Sequence, residues 1–131
     1  MRLIHFDRSQ EIPIVDALVF GPRKHERLRL VFDSGCGKTQ VDTCVIESIG
    51  YSVSNSIGVT VVKGPSGDMQ EGYLVKVKDF QLFGMSFSNM EIGAHDFDQF
   101  AKYEIDGLLG FDVIKQLRFE LDGPEGLLKI Y

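Results

Sequence analysis

Apolar and polar residues alternate with a period of two along much of this chain, and glycine, proline and aspartate cut the alternation into short pieces. Residues Ile12 to Phe20 are rich in branched and aromatic side chains and end at Gly21-Pro22, which predicts a strand with Pro13 at its start or edge. From Arg27 to Leu30 the pattern alternates, and at Val31-Phe32 it turns wholly apolar. A strand reads this way when it passes from a half-exposed to a buried setting. Residues 21–26 are the predicted loop between these two strands. Thr39 to Asp42 is a short extended piece, after which Asp42 or Thr43 caps a short helix through Cys44–Ile49 that stops at Gly50. Ile57–Lys63 and Glu71–Lys78 read as the two strands of a hairpin with a polar tip at Gly64-Pro65-Ser66-Gly67-Asp68. Phe80–Phe83, a turn at Gly84 and a strand over Phe87–Ile92 follow. Residues 95–103 have no clear period and read as a loop. Phe111–Leu117 suits a short helix, and Phe119–Asp122 with Leu127–Tyr131 forms a last hairpin. Met1–Gln10 is only weakly strand-like.

Short strands in succession with one or two short helices predict an all-β, closed barrel-like domain. The 131 residues suffice for one domain with a modest core, and no linker or internal repeat divides them. The net charge of −5 and the lack of any concentrated basic face argue against nucleic-acid binding. The longest apolar runs fall short of a membrane span, and the N-terminus lacks the apolar core of a signal peptide. Cys36 and Cys44 are too few for a disulfide scaffold and read as reduced thiols, which favours a reducing compartment such as the cytoplasm. Excision from a longer chain stays open.

The candidate chemistry sits where the second strand ends, at Asp33-Ser34-Gly35-Cys36. A carboxylate at the end of a buried strand is costly unless it has partners. Ser34 offers a hydroxyl and Gly35 lets the backbone turn sharply, so the arrangement suits an aspartate held in a fixed place. Acid–base hydrolysis of a peptide bond needs two carboxylates that share a proton, one acting on water and one on the carbonyl oxygen. The chain has no second Asp-Thr/Ser-Gly, and Asp106-Gly107 lacks the hydroxyl residue. The second acid must then come from another copy of the chain, through a two-fold homodimer that sets Asp33 against its own mate.

These residues resemble the retropepsin-like aspartic proteases, single-lobe homodimeric relatives of pepsin. The resemblance runs from about Ile12 to Ile130 within one domain, 1–131. Asp33-Ser34-Gly35 matches the family's Asp-Thr/Ser-Gly, with Cys36 where alanine is usual. Thr39, Val41 and Ile49-Gly50-Tyr51 fall at positions of similar character. The hairpin bearing Lys63, Gly64, Pro65, Ser66 and Gly67 stands where the substrate-covering flap is found. Asp106-Gly107-Leu108-Leu109-Gly110-Phe111-Asp112 resembles the loop that threads under the catalytic turn before a short helix. The resemblance implies a closed barrel with a flap, no metal or organic cofactor, and cleavage of a peptide or protein substrate by two Asp33 carboxylates. It also implies that Ser34 bonds across the dimer base and that Gly35 and the flap hold the substrate backbone. Candidate pocket walls are Cys36, Val62, Leu108 and Ile114. Gly37 and Phe111 stand where retroviral enzymes carry an Asp–Arg ion pair, and Cys36 brings a thiol to the site. The alternative is a non-proteolytic module of the same fold that binds a peptide or serves assembly.

Other readings carry less. Gly35-Cys36-Gly37-Lys38-Thr39 resembles the end of a phosphate-binding loop, but Phe32 occupies the position of the first glycine and no long helix follows. His5, His25 and His95 lack metal-ligand spacing. Residues 96–100 read as a partly exposed loop that could line a groove. Asp106 and Asp112 read as loop ties and caps.

Overall fold

Strand pairing closes six strands into a ring. The computed structural model describes residues 1–63, 67–97 and 104–131. Its strands are β1 (Arg2–His5), β2 (Ile14–Phe20), β3 (His25–Phe32), β4 (Gln40–Asp42), β5 (Gly58–Lys63), β6 (Met69–Leu82), β7 (Met85–His95), β8 (Gly107–Leu109), β9 (Phe119–Asp122) and β10 (Leu127–Ile130). Around the ring the order is β2–β3–β8–β4–β7–β6, and β6 returns to β2 through Leu18 opposite Gln81 and Phe20 opposite Asp79. The fold is therefore mostly β, a closed six-stranded barrel with the short helices α1 (Thr43–Ser48) and α2 (Phe111–Ile114). Leu28, Leu30, Val41, Val75, Phe80 and Leu109, all fully buried, fill its interior. Leu28 and Leu30 sit at alternate positions of β3, as a period of two requires, whereas in β6 the buried positions change phase between Val77 and Phe80.

Two features lie outside the ring. β5 pairs with β6 alone and projects as an arm whose side chains alternate between half-buried and exposed. A separate three-stranded sheet has the order β1–β10–β9, with β10 in the middle. Leu128 and Ile130 of β10 face the barrel and are buried, whereas Lys129 on the other face pairs with Glu120 and Asp122 of β9.

The structure differs from the sequence reading at several boundaries. β1 is a strand, although its residues are mostly exposed and give no one-sided pattern; its backbone pairs with β10. β3 begins at His25, because the first hairpin stays paired out to Phe20 opposite His25. β6 runs unbroken through Asp79 to Leu82, since that carboxylate turns outward to Ser86 Oγ (2.7 Å) and Gln81 Nε2 (2.9 Å) and does not end the strand. β7 continues to His95, which the pattern had placed in a loop.

His95 is 2 % exposed, and neither ring nitrogen has a partner among the described residues. The ring lies against Gly72, where a Cβ would come within 2.7 Å of it. Burial pushes its pKa below the ordinary 6.5, so the native state holds the neutral ring. The unfolded chain takes up the proton as pH falls below about 6.5, so stability is lost from there downward until the native ring also titrates. The unfolding free energy of wild type is expected to fall, through this group, by at most about 1.4 kcal/mol per pH unit over this range. The His95→Gln variant, measured in urea from pH 7.5 to 4.5, is expected to lack that component.

Candidate active site

Asp33 is the first residue beyond β3, and two levels of structure hold it. Its backbone N–H donates to the carbonyl of Leu109 in β8 (3.0 Å), and its carbonyl accepts from the N–H of Cys36 (3.1 Å). Its side chain, half-buried, accepts from the N–H of Gly35 (3.0 Å). A carboxylate oxygen that receives a backbone N–H is fixed in direction. A Cβ on Gly35 would stand 3.3 Å from Asp33 Oδ1, so glycine leaves that approach open. Ser34 is exposed, and its hydroxyl has no partner among the described residues.

The segment from Asp106 to Asp112 makes this turn rigid. β8 runs between β3 and β4, parallel to one and antiparallel to the other, and its three residues Gly107, Leu108 and Leu109 are buried. Asp106 ties it in place: Oδ2 accepts the N–H of Arg29 (2.8 Å), its N–H donates to the Arg29 carbonyl (2.7 Å), and its carbonyl accepts from Asp42 (2.7 Å). At Gly107 a Cβ would overlap the carbonyl oxygen of Gln40, and at Gly110 one would stand 2.5 Å from the carbonyl carbon of Lys38. These two glycines let β8 and its exit pass directly beneath the turn. Beyond them Phe111 N–H donates to the Cys36 carbonyl (2.6 Å), and Asp112 N–H to that of Gly37 (3.1 Å).

Asp112 closes the arrangement. Its Oδ1 accepts from Thr39 Oγ1 (2.8 Å), both its oxygens accept from Thr39 N–H (3.1 Å each), and Thr39 Oγ1 accepts in turn from Gly110 N–H (3.1 Å). Thr39 is fully buried. Asp112 is therefore engaged in holding the loop. Asp42 caps α1 by accepting from Cys44 N–H (2.8 Å) and also receives the N–H of Phe97 (3.0 Å).

Asp33 opens onto a cleft of about 600 Å³. Its floor carries Gly35, Cys36, Gln40 and Leu108, and residues Thr60 to Lys63 of the β5 arm overhang it. Lys63 lies at this edge, and Gly67 is exposed with a φ of +88° that suits a hairpin tip. Gly64, Pro65 and Ser66 lie outside the described residues, as do residues 98–103. A second cleft of about 640 Å³, lined by Arg2, Ile4, Arg27 and Phe83 among others, does not include Asp33.

Cys36 is half-buried beside Asp33, and its thiol donates to the Lys38 carbonyl (3.1 Å). Burial pushes the thiol up from its ordinary value, and the charges of Asp33 and Asp112 act in the same direction. It is thus protonated at neutral pH, and it packs with Val31, Ile105 and Leu108 as a small apolar wall. Cys44 is exposed, and neither cysteine is in a disulfide.

The structure brings Asp33, Gly35, Cys36, Val62 and Leu108 to one cleft. Ile114 is not there: it is 2 % exposed in the barrel core. Phe97, read as part of a partly exposed loop, is buried against Val31 and Leu108. Gln40 and Thr60 line the cleft but were not picked out from the sequence. Gln40 arrives there because β4 pairs with Leu108 on one side and Gly93 on the other, a long-range register with no local signal. Among the described residues no cluster of His, Cys, Asp and Glu has the makings of a metal site, and no helix is long and apolar enough to cross a membrane.

A closed six-stranded barrel with a projecting arm over an Asp-Ser-Gly turn defines the aspartic protease class. The model of the aspartyl protease family matches residues 15–113, and the chain belongs to that family. Its fold is similar to that of a retropepsin-like aspartic protease from Rickettsia conorii, at 14 % identity and a TM-score of 0.66, covering 98 % of this chain and 88 % of that one. It is also similar to the retroviral protease-like domain of Ddi1 from Leishmania major, at 15 % identity and a TM-score of 0.53, covering 91 % and 87 %. No curated protein sequence matches the chain. Identities this low establish a shared retropepsin-like fold and nothing finer.

Proposed function

We propose that two copies of this chain form an aspartic endopeptidase in which each contributes Asp33. One observation carries the reading. Asp33 stands in a peptide-sized cleft with its carboxylate held by a single N–H, while Asp106 and Asp112, the acids of the supporting segment, are engaged by Arg29 and by Thr39 and Val113 respectively. A cleft whose described lining carries one acid, Asp33, lacks half of the hydrolytic pair, and a two-fold axis near Asp33 supplies the other half. Like charges at close range separate the two ionisations, so the pair holds one proton.

The ionised carboxylate takes a proton from a water while the protonated one gives its proton to the carbonyl oxygen of the peptide. The water oxygen bonds to the carbonyl carbon, giving a neutral tetrahedral diol. Its collapse breaks the C–N bond, the amine leaves with a proton from the newly protonated Asp33, and the other Asp33 regains its proton from a diol hydroxyl. A substrate lies extended between the Gly35 region and the β5 arm and pairs through its backbone. Alternate side chains then meet walls formed by Cys36, Val62 and Leu108, with Gln40 as the polar member of the floor.

The test is cleavage of a diverse peptide library from pH 4 to 7, read by mass spectrometry, with the Asp33→Asn variant alongside. Cleavage by wild type alone is the expected result. Cleavage that persists in the variant removes Asp33 from the mechanism. A confirmed dimer that cuts nothing favours the non-proteolytic peptide-binding module.

A further inference from the structure

We propose that the cleft between β2 and the β6–β7 hairpin is a second binding site, which takes an extended acidic peptide segment as an added strand. It is separate from the Asp33 cleft and does not depend on the two-chain reading. The cavity holds about 640 Å³, and two unbroken runs, residues 14–18 and 81–86, line it. Successive residues of a strand point to opposite faces, so five lining residues in a row mean that the cleft follows the edge of β2 and not one of its faces. The barrel seam opens here: β2 is paired with β3 along all of Ile14–Phe20, but with β6 only at Leu18–Phe20. The hydrogen-bond phase of β2 shows what that edge presents. Just beyond the two ends of the β2–β3 pairing, Phe32 N–H donates to the Pro13 carbonyl (2.9 Å) and Gly21 N–H to that of Lys24 (3.0 Å). Antiparallel pairs alternate between bonded and non-bonded, so the odd-numbered residues of β2 bond to β3 and the even-numbered ones turn their N–H and C=O groups the other way. β6 pairs with Leu18 and Phe20. The groups of Ile14 and Asp16 face the cleft, and no turn or loop bond among the described residues takes them up.

The side chains select the occupant. Among the described lining residues the charged ones are Arg2, Arg27 and Asp16, with His5 beside them. Asp16 stands opposite Arg29 of β3, a favourable cross-strand pair. Neither Arg2 nor Arg27 is in an ion pair with a described residue. The two arginines hold different walls. Arg2 lies across the hairpin turn, where a Cβ on Gly84 would come within 2.5 Å of its Nη2, and Arg27 stands on β3 beyond Leu18. Phe83, at φ +52°, holds a left-handed conformation that bulky residues rarely adopt, and it adds an aromatic side chain to the lining. A chain of net charge −5 thus keeps two guanidiniums at one open strand edge, and a guanidinium binds a carboxylate through paired N–H donors. An extended peptide that bonds to Ile14 and Asp16 through its backbone sets its carboxylates toward Arg2 and Arg27, in the manner of strand addition. A basic or uncharged peptide meets the same edge without those contacts.

The test is fluorescence anisotropy with the fluorescein-labelled hexapeptide Glu-Val-Glu-Glu-Val-Glu, measured on the Asp33→Asn chain so that cleavage plays no part. Saturable binding is expected. In that background Arg2→Glu and Arg27→Glu are each expected to weaken it at least about tenfold, with circular dichroism spectra unchanged. N-methylation of every peptide nitrogen is expected to abolish it, and Lys-Val-Lys-Lys-Val-Lys is expected not to bind. Affinity that both arginine variants leave untouched overturns the proposal and would place the peptide elsewhere, the Asp33 cleft included. Equal affinity for the N-methylated peptide, or displacement by N-acetylglutamate at the peptide's own concentration, would reduce the site to an anion pocket and overturn strand addition. Absence of saturable binding into the millimolar range overturns the proposal outright.

Discussion

Replacing Asp33 by asparagine is expected to lower peptide cleavage by at least about 10²–10⁴-fold, the usual weight of a positioned acid–base group. The fold is expected to survive. The amide oxygen still accepts the Gly35 N–H that the carboxylate accepts at 3.0 Å, and the backbone bonds to Leu109 and Cys36 do not involve the side chain. A melting curve superimposable on that of wild type, with activity lost, separates a chemical role from a structural one. If both fell together, Asp33 would be a turn residue whose charge holds the loop.

Asp112→Ala is expected to show the opposite signature first: a loss of stability of about 3 kcal/mol, followed by loss of activity. The carboxylate accepts from Thr39 N–H and Oγ1 and from Val113 N–H, and Thr39 is fully buried. Removing it strands a buried N–H, and unpaired buried donors carry their full desolvation cost. Thr39 Oγ1 also receives Gly110 N–H, so the loss propagates to the segment that supports Asp33 from below. Urea unfolding of Asp112→Ala and Asp112→Asn measures this. The asparagine variant, which keeps an acceptor, is expected to lose less. Equal stability of all three proteins would mean that the Asp112 ties add nothing.

Much of the barrel was legible because its strands obey a two-residue period with glycine and proline at the breaks. Arg27–Phe32 announced the buried end of β3, and Gly84 announced the β6–β7 turn. What was hidden depends on neighbours. β1 has mostly exposed side chains and exists by pairing with β10, so nothing in Arg2–His5 itself marks it. The polar Asp79 looked like a strand end, whereas the strand passes through it. Around the site, Asp33-Ser34-Gly35 and Gly107–Gly110 were readable as motifs, because close backbone approach demands glycine at fixed positions. Gln40 in the cleft floor and Ile114 in the core were not, since both follow from which strand lies beside which. The open edge of β2 was equally out of reach, because Ile14–Phe20 alternates just as a strand paired along both edges does.

The central claim, one active site shared by two chains, is tested most directly by mixing. Wild-type protein at fixed concentration is combined with increasing amounts of the Asp33→Asn chain, allowed to exchange partners, and assayed for cleavage. A shared site requires activity to fall as mixed dimers form, to about half at equal amounts when the chains pair at random. Activity that stays constant however much variant is added would show that each chain cuts on its own, and would contradict the account.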